Sequence, residues 1–414
     1  MKKLLISILV VAAANAAQAQ NNSLSFSQSG NGNQAGFVSQ KGTGNTGSIA
    51  VVGDNNRSGL DQRGTNERAT ITQRGNANTS NAIAYYGSDN QATITQNGES
   101  NYAFSTSYQA SSNVLSIVQE GNNNSGRVGA NYGSNYNALS LTQTGEGNRG
   151  QLLSFGSVNS TATLIQTGDG NQVGSGFKMG DWDLYSYQIQ ADQSQVFITQ
   201  LGDNNAVGVK QGWGSFQTAN VLQEGNSNLG HISTSGDNSA ASLIQTGNGN
   251  ESLVHASGND NAASHLQTGN NNYGGANSYQ GSNNTASLTQ TGDGNQGGAS
   301  AGRGDDNTVS VTQTGNQNRG YAEQSYGNGN QAMLTQLGDA NDARLSQQGS
   351  FNSASLRQEG NNNRVEHLEY RYNPAIQRGD SNALTLTQTS DGNLLQFGQF
   401  GNGNSATITQ GPLQ

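Results

Sequence analysis

Four histidines, His231, His255, His265 and His367, are the side chains best suited to bind a metal or move a proton near neutral pH. They are scattered, with no HExxH and no paired spacing, so they read as packed or solvated singles. Cysteine is absent, which excludes disulfides and thiolate metal sites. Gly145-Glu146-Gly147-Asn148-Arg149-Gly150 and Gly292-Asp293-Gly294-Asn295-Gln296-Gly297 match the GxGxxG of a dinucleotide loop, but without its strand-to-helix context. The Gly-Asp-Gly-Asn stretches suggest calcium-binding nonapeptides, yet their period is near 11 residues with amides inside, not nine with aspartates. Nucleophile, base and orienter cannot be assembled, so the sequence points away from an enzyme, with no cofactor and no metal expected. What remains is amide chemistry: Gln and Asn carry donor and acceptor in one group and can hydrogen-bond copies of themselves.

Those amides are placed rhythmically. Glutamines recur at Gln28, Gln73, Gln96, Gln119, Gln143, Gln166, Gln200, Gln223, Gln245, Gln267, Gln290, Gln313, Gln336, Gln358, Gln388 and Gln410, mostly 22 to 24 residues apart, with Val51 filling the first gap. Five residues further on stands an asparagine, as at Asn78, Asn101, Asn124, Asn148, Asn171, Asn250, Asn295, Asn318 and Asn341. A more degenerate copy follows about 11 residues on, as at Gln40, Gln62, Gln347, Gln377 and Gln399, so the unit is two related halves.

Between Asn90 and Asn101, period-two alternation puts Asn90, Ala92, Ile94 and Gln96 on one face and Thr93 and Thr95 on the other, a strand signature. Gly98 to Asn101 is then a turn, because glycine reaches positive φ freely and asparagine tolerates the left-handed region. Two residues before each leading position the chain is apolar, as at Ile71, Ile94, Ile117, Leu141, Leu164, Leu243, Leu288, Val311 and Leu334, with His265 the exception. Two residues earlier again stand mostly small or aliphatic residues, such as Ala69, Ala92 and Leu115, and this pair of columns with the ladder amides is the expected interior.

One rung buries about one isoleucine, worth about 2 kcal/mol, against roughly 1–2 kcal/mol of ordering entropy for each residue, and cannot fold alone. Stacking gives every strand backbone partners above and below and lines like side chains into columns. Interior amides then form ladders in which each NH2 and C=O meets its counterpart one rung away, whereas stacked carboxylates would set like charges about 5 Å apart. The expected fold class is all-β, a β-solenoid of about sixteen stacked strand-turn-strand repeats with a closing half. Its two parallel in-register β-sheets would form a rod about 80 Å long, able to extend as a cross-β fibre.

Small or irregular interior residues in the second half, such as Gly150 and Leu152, Gly297 and Ala299, or Gly320 and Ala322, make the first-half sheet the more regular and stable. Two long intervals, Gln166 to Gln200 and Gln358 to Gln388, predict loops at about 172–194 and 364–376. The second suits Pro374, which cannot donate to a ladder. The first could instead hold an extra half-unit, which would swap the sheets downstream.

Only 11% of the 414 residues are charged and 58 are glycine, too little bulk for several globular cores. Eighteen basic against 27 acidic residues, unclustered, give no footprint for nucleic acid. Acidic residues fall largely in turns, such as Asp203, Asp293 and Asp339, where they check lateral aggregation. Met1-Lys2-Lys3, the apolar run Leu4 to Ala14 and Ala17-Gln18-Ala19 read as a signal peptide over residues 1–19, leaving 20–414 as an exported repeat region. The apolar run is too short to cross a membrane, and no later membrane span is expected.

Tandem halves of the form N-x-φ-x-φ-x-Q-x-G-x-x-N, as in Asn137 to Asn148 and Asn382 to Asn393, resemble the curlin repeat of curli fibre subunits, a bacterial functional amyloid. The resemblance covers about residues 23 to 410. It implies a secreted subunit of an extracellular, cell-surface fibre in the biofilm matrix, akin to the major subunit, active in adhesion. It also implies a nucleator subunit and an outer-membrane secretion pore as partners, beside the chain itself. The chain departs from better-known members in its many more repeats and in lacking a long Gly-rich segment before the first.

Repeats run from Ser23 to Gln410, so the end rungs would carry unpaired N–H and C=O groups, and end-to-end addition is expected. One rival is an ice-binding solenoid, from outward pairs such as Thr70 and Thr72, Thr93 and Thr95, and Thr385 and Thr387. Ser116 and Val118, Thr163 and Ile165, and Ser355 and Arg357 break that array. The other is a fibre nucleator or adhesin, suggested by Arg303-Gly304-Asp305 and Arg378-Gly379-Asp380, both at the repeat's own turn.

Overall fold

A computed structural model describes residues 21–174, 177–179, 182–184, 188–367 and 375–411. The signal peptide assigned to residues 1–19 and Pro374 lie outside the described residues. The chain is all-β, without a helix among the described residues. Among the described residues it winds into a β-solenoid whose first-half strands form one sheet of 17 rungs, from Ser23–Ser29 to Ser405–Gln410.

The second sheet contains 18 segments, of which two pairs each share a rung, giving 16 rungs. Its outermost rungs are Gln34–Thr43 and Leu394–Phe400. All stacking within both sheets is parallel. Equivalent residues are superposed: Ala69 lies on Ala92, Ile71 on Ile94 and Gln73 on Gln96.

Local sequence explains each element. In the strand Gln91–Asn97, β-branched Thr93, Ile94 and Thr95 favour the extended chain, and Ile94 turns inward to full burial. The following corner runs Gly98-Glu99-Ser100-Asn101, with Gly98 at φ 117° and Ser100 in the left-handed region at φ 57°. The Gly98 and Ser100 N–H groups donate to Arg74 and Asn76 of the rung before, so corners are hydrogen-bonded like strands.

The core is the thin space between the sheets. Glycine recurs in the second sheet because large first-sheet side chains already fill the space opposite. A Cβ on Gly150 would lie 2.6 Å from Leu141 Cδ1, and one on Gly230 would lie 2.5 Å from Leu243 Cδ2.

Both long intervals are insertions in the second sheet, and both are shorter than the sequence suggests. Gln172–Val173 and Gln188–Ile189 still belong to one rung, and Phe177–Met179 pairs antiparallel with Trp182–Leu184 between them. Likewise Arg364–His367 and Ala375–Arg378 are strands rather than loop. The backbone bonds of the rungs on either side hold these short segments in place. An extra half-unit is ruled out: Leu164 stacks on Ile198 and Gln166 on Gln200, so the first sheet crosses the interval without a swap. The first sheet is the more regular, unbroken across both intervals, whereas the second also shifts register between Ala35 and Val38.

Candidate functional site: amide ladders and open end rungs

Each first-sheet strand brings its glutamine inward beside the apolar column, and neighbouring glutamines join into one directional chain. From Gln73 through Gln96, Gln119, Gln143 and Gln166 to Gln200, every Nε2 donates to the Oε1 of the next rung at 2.8 to 2.9 Å. The chain continues through Gln245, Gln290, Gln313 and Gln336 to Gln410 at 2.7 to 3.0 Å. The second Nε2 proton crosses the core to a second-half carbonyl, as from Gln96 to Thr79 at 3.1 Å and from Gln245 to Leu229 at 3.1 Å. All these glutamines from Gln73 to Gln388 are buried, and satisfied amides remove the penalty of that burial.

Ile71, Ile94, Ile117, Leu141, Leu164, Leu243, Leu288, Val311 and Leu334 are buried in the column beside them.

The corner asparagines are also buried and bond both to one another and to the backbone: Nδ2 of Asn78, Asn250 and Asn341 donates to Oδ1 of the asparagine one rung before at 3.1 to 3.2 Å. The Nδ2 of Asn78, Asn101, Asn124, Asn148 and Asn171 donates to the corner glycine carbonyl of the next rung at 2.6 to 2.8 Å. Asn250, Asn295, Asn318 and Asn341 do the same at 2.7 to 2.8 Å. Their Oδ1 atoms accept the next asparagine's backbone N–H, as from Asn101 to Asn78 at 3.0 Å. The shorter asparagine arm explains this, because it keeps the amide at the backbone while glutamine reaches the core.

A second glutamine ladder occupies only the end regions of the second sheet, from Gln40 to Gln62 and from Gln324 through Gln347 and Gln377 to Gln399. Between them the column holds smaller residues such as Ala84, Ser107 and Ala130.

The first-sheet ladder has one fault. Val51 leaves Nε2 of Gln28 and Oε1 of Gln73 buried without a partner, while Gln28 Oε1 is unpartnered as the end of the ladder. Val51→Gln is expected to join them, stabilising the first rungs by about 1 kcal/mol per bond gained. Slower amide hydrogen exchange in Ser23–Ser29 would register it.

One carboxyl stands where only amides were expected. Glu67 is fully buried in the second corner column between Asn45 and Asn90. Asn90 donates to it through its backbone N–H at 3.1 Å and Nδ2 at 3.2 Å, which favours the anion. Desolvation outweighs these bonds and pushes its carboxyl up from 4.5 to about 7. The unfolded chain ionises first, so the Glu67 contribution to stability falls as pH rises from about 4.5 through about 7. Glu67→Gln is expected to remove that slope and to be the more stable form at pH 8, as measured by denaturant unfolding across pH. Gln217, buried in the same column, shows that the longer amide fits.

The other candidate motifs are absorbed by the corners. Gly145 and Gly147 are positive-φ corner residues at 115° and 67°. In the two Arg-Gly-Asp tripeptides, Asp305 accepts the Ser282 N–H and Asp380 the Ser350 N–H, each at 2.8 Å. His265 sits inside the apolar column between Ser252 Oγ at 2.6 Å and Gln290 Oε1 at 3.0 Å, and burial lowers its pKa to about 4. His231 and His255 are half-buried on the second sheet, both pushed down chiefly by burial. His367 lies outside the residues whose side chains are described.

Sequence reasoning missed an aromatic row at one corner, Tyr86, Tyr108, Tyr132 and Phe155, with neighbouring centroids 5.3 to 6.1 Å apart. Recurrence of aromatics near that corner was its only signal. On the outward first-sheet face, Ile165, Phe197 and Leu266 are exposed among the threonines, so the Thr rows are discontinuous.

Comparison with known proteins agrees with this geometry. A family model described as the curlin associated repeat matches residues 64–98, 218–247, 304–338 and 338–366. No curated protein matches the chain. Four matches distributed along one stacked array, each falling on the strand-corner-strand unit described above, support a curlin-repeat protein with a curli-like structural character.

Proposed function

We propose that the protein is a secreted fibre subunit that adds end to end to copies of itself, forming curli-like cross-β fibres at the cell surface. Such fibres would serve adhesion and the biofilm matrix. The observation that carries this reading is the one-way glutamine chain. Because every Nε2 points toward the C-terminal end, that end offers an amide donor at Gln410 and the opposite end an unpartnered acceptor at Gln28 Oε1. Like ends repel the match and unlike ends complete it, which is the condition for polar growth.

Strand edges add to this. Among the described residues, Ser23–Ser29 and Ser405–Gln410 each pair on one side. The family relationship supports a structural rather than catalytic role and an extracellular location. A nucleator and an outer-membrane pore belong to the same reading as partners.

Seeded elongation tests it. Residues 20–414, purified freshly, should lengthen sonicated fragments of their own fibres without a lag, as unbranched filaments by electron microscopy. Discrete particles that never elongate, especially with thermal hysteresis in ice-growth assays, would overturn the reading in favour of an ice-binding rod.

A further inference from the structure

We propose that successive molecules join with their two sheets exchanged, each copy turned by about half a turn around the rod axis relative to the one before. The first strand of one copy, Ser23–Ser29, then lies on the last second-half strand of another, Leu394–Phe400. This rests on the end-to-end assembly proposed above and specifies its junction.

The inference begins with an inequality. Among the described residues the first sheet has 17 rungs and the second 16, an odd number of half-coils. If Ser23–Ser29 stacked on Ser405–Gln410, like sheet on like, Gln34–Thr43 would stand two rungs, about 9.6 Å, beyond Leu394–Phe400. One strand position would be empty, with unpaired backbone edges on both sides of it. Placing Ser23–Ser29 on Leu394–Phe400 and Gln34–Thr43 on Ser405–Gln410 continues the coil without a vacancy.

The backbone permits this exchange, because the corners that would meet have the same conformation: Gly30 and Gly32 have φ of 120° and 65°, and Gly401 and Gly403 have 99° and 67°. The first-half corner at Gly75 and Ala77 has φ of 109° and 56°, and the second-half corner at Gly258 and Asp260 has 118° and 56°. Either corner can therefore stack on the other as it stacks on its own kind.

The end sequences match in this arrangement. Leu24, Phe26 and Gln28 fall on Leu395, Phe397 and Gln399. Gly30-Asn31-Gly32-Asn33 falls on the identical Gly401-Asn402-Gly403-Asn404. Beyond the corner, Ala35, Val38 and Gln40 meet Ala406, Ile408 and Gln410, once the extra residue at the irregularity between Ala35 and Val38 is allowed for.

Phe26 and Phe397 are the distinguishing pair. Along the stacked first-sheet column running from Phe26 through Ile49 and Ile71, the later members are Ile, Leu, Val or His265. Phe397 likewise ends a second-sheet column of smaller residues such as Ala276, Ala299 and Ala322. Each would meet its like across the junction, and Leu24, 37% exposed in the single molecule, would be covered by Leu395. The ladders close as well. Gln399 Nε2 comes to the unpartnered Gln28 Oε1 and Gln410 Nε2 to Gln40 Oε1, repeating the direction of every internal step.

Cysteine cross-linking separates this junction from its alternative, since the natural chain has no cysteine. Ser25, Gln396 and Thr407 all point outward and are exposed. In exchanged stacking Ser25 of one copy sits one rung, about 4.8 Å, above Gln396 of another, within disulfide reach; in unexchanged stacking it sits above Thr407. Fibres of Ser25→Cys/Gln396→Cys, mildly oxidised and then denatured, are expected to give a ladder of covalent multimers on a non-reducing gel. Ser25→Cys/Thr407→Cys fibres are expected to give monomer. Mixing the two single variants Ser25→Cys and Gln396→Cys should give covalent dimers, a check that survives poor assembly of the double variant. Fibres that cross-link through 25 and 407, or through neither pair, overturn the exchanged junction and leave end-to-end assembly standing. Absence of fibres from the unsubstituted chain overturns both.

Discussion

Replacing Gly247 by alanine is expected to destabilise the rod by about 3–5 kcal/mol, among the largest effects open to a single methyl group. Gly247 opens a corner at φ 114°, and a Cβ built on it would lie 2.0 Å from the carbonyl oxygen of Gly269 in the next rung. Neither obstacle has a flexible side chain that could move aside. Relief requires the two corners to part, breaking the bond from the Gly269 N–H to Thr246 O, now 2.9 Å. Gly147→Ala is the matched comparison. Gly147 occupies the left-handed corner position at φ 67° with open space around it, and Ala77 already stands in that conformation at φ 56°. Its cost is expected to be about 1 kcal/mol. Denaturant unfolding of the two variants checks the difference. Equal effects would mean that the corners are not stacked at the spacing described.

Gln245→Glu is expected to cost about 3–5 kcal/mol at neutral pH and to recover much of it in acid. Gln245 is fully buried, accepts from Gln223 Nε2 at 2.8 Å, and donates to Gln267 Oε1 at 2.8 Å and Leu229 O at 3.1 Å. A carboxylate keeps the first bond and turns both others into oxygen facing oxygen, with a charge in the core. Its folded-state pKa must therefore rise. Stability is lost as pH climbs from the unfolded value toward the folded one and returns as pH falls.

Glu67 shows why position matters for such a change, since its upper neighbour Asn90 presents two donors where Gln267 presents an acceptor. An unfolding midpoint independent of pH in the Gln245→Glu variant would contradict the buried ladder.

The fold was unusually open to reading because the same spacing recurs along most of the chain, and a rung that cannot fold alone must stack. Registers such as Ile71 on Ile94 follow from spacing alone, and the intact first sheet across the interval from Gln166 to Gln200 shows that spacing outranks a long insertion. The backbone half of the asparagine wiring was not legible. Gln and Asn carry the same amide, and only the position of Asn at the corner backbone decides that it bonds to Gly98 O or Gly121 O in addition to neighbouring asparagines.

Glu67 was also hidden. A single acid in a column of amides looks like a surface residue until the corner is built around it. The short strands Gln172–Val173 and Gln188–Ile189 escaped for the opposite reason, as neither has enough sequence to signal a strand, and pairing with neighbouring rungs supplies what propensity lacks.

X-ray diffraction from aligned fibres of residues 20–414 tests the central claim most directly. Rungs stacked along the growth axis predict a sharp meridional reflection at about 4.7–4.8 Å and a diffuse equatorial one near 10 Å. A pattern in which the strand repeat lies on the equator, or is missing, would mean that the strands do not stack along the fibre and would contradict the account.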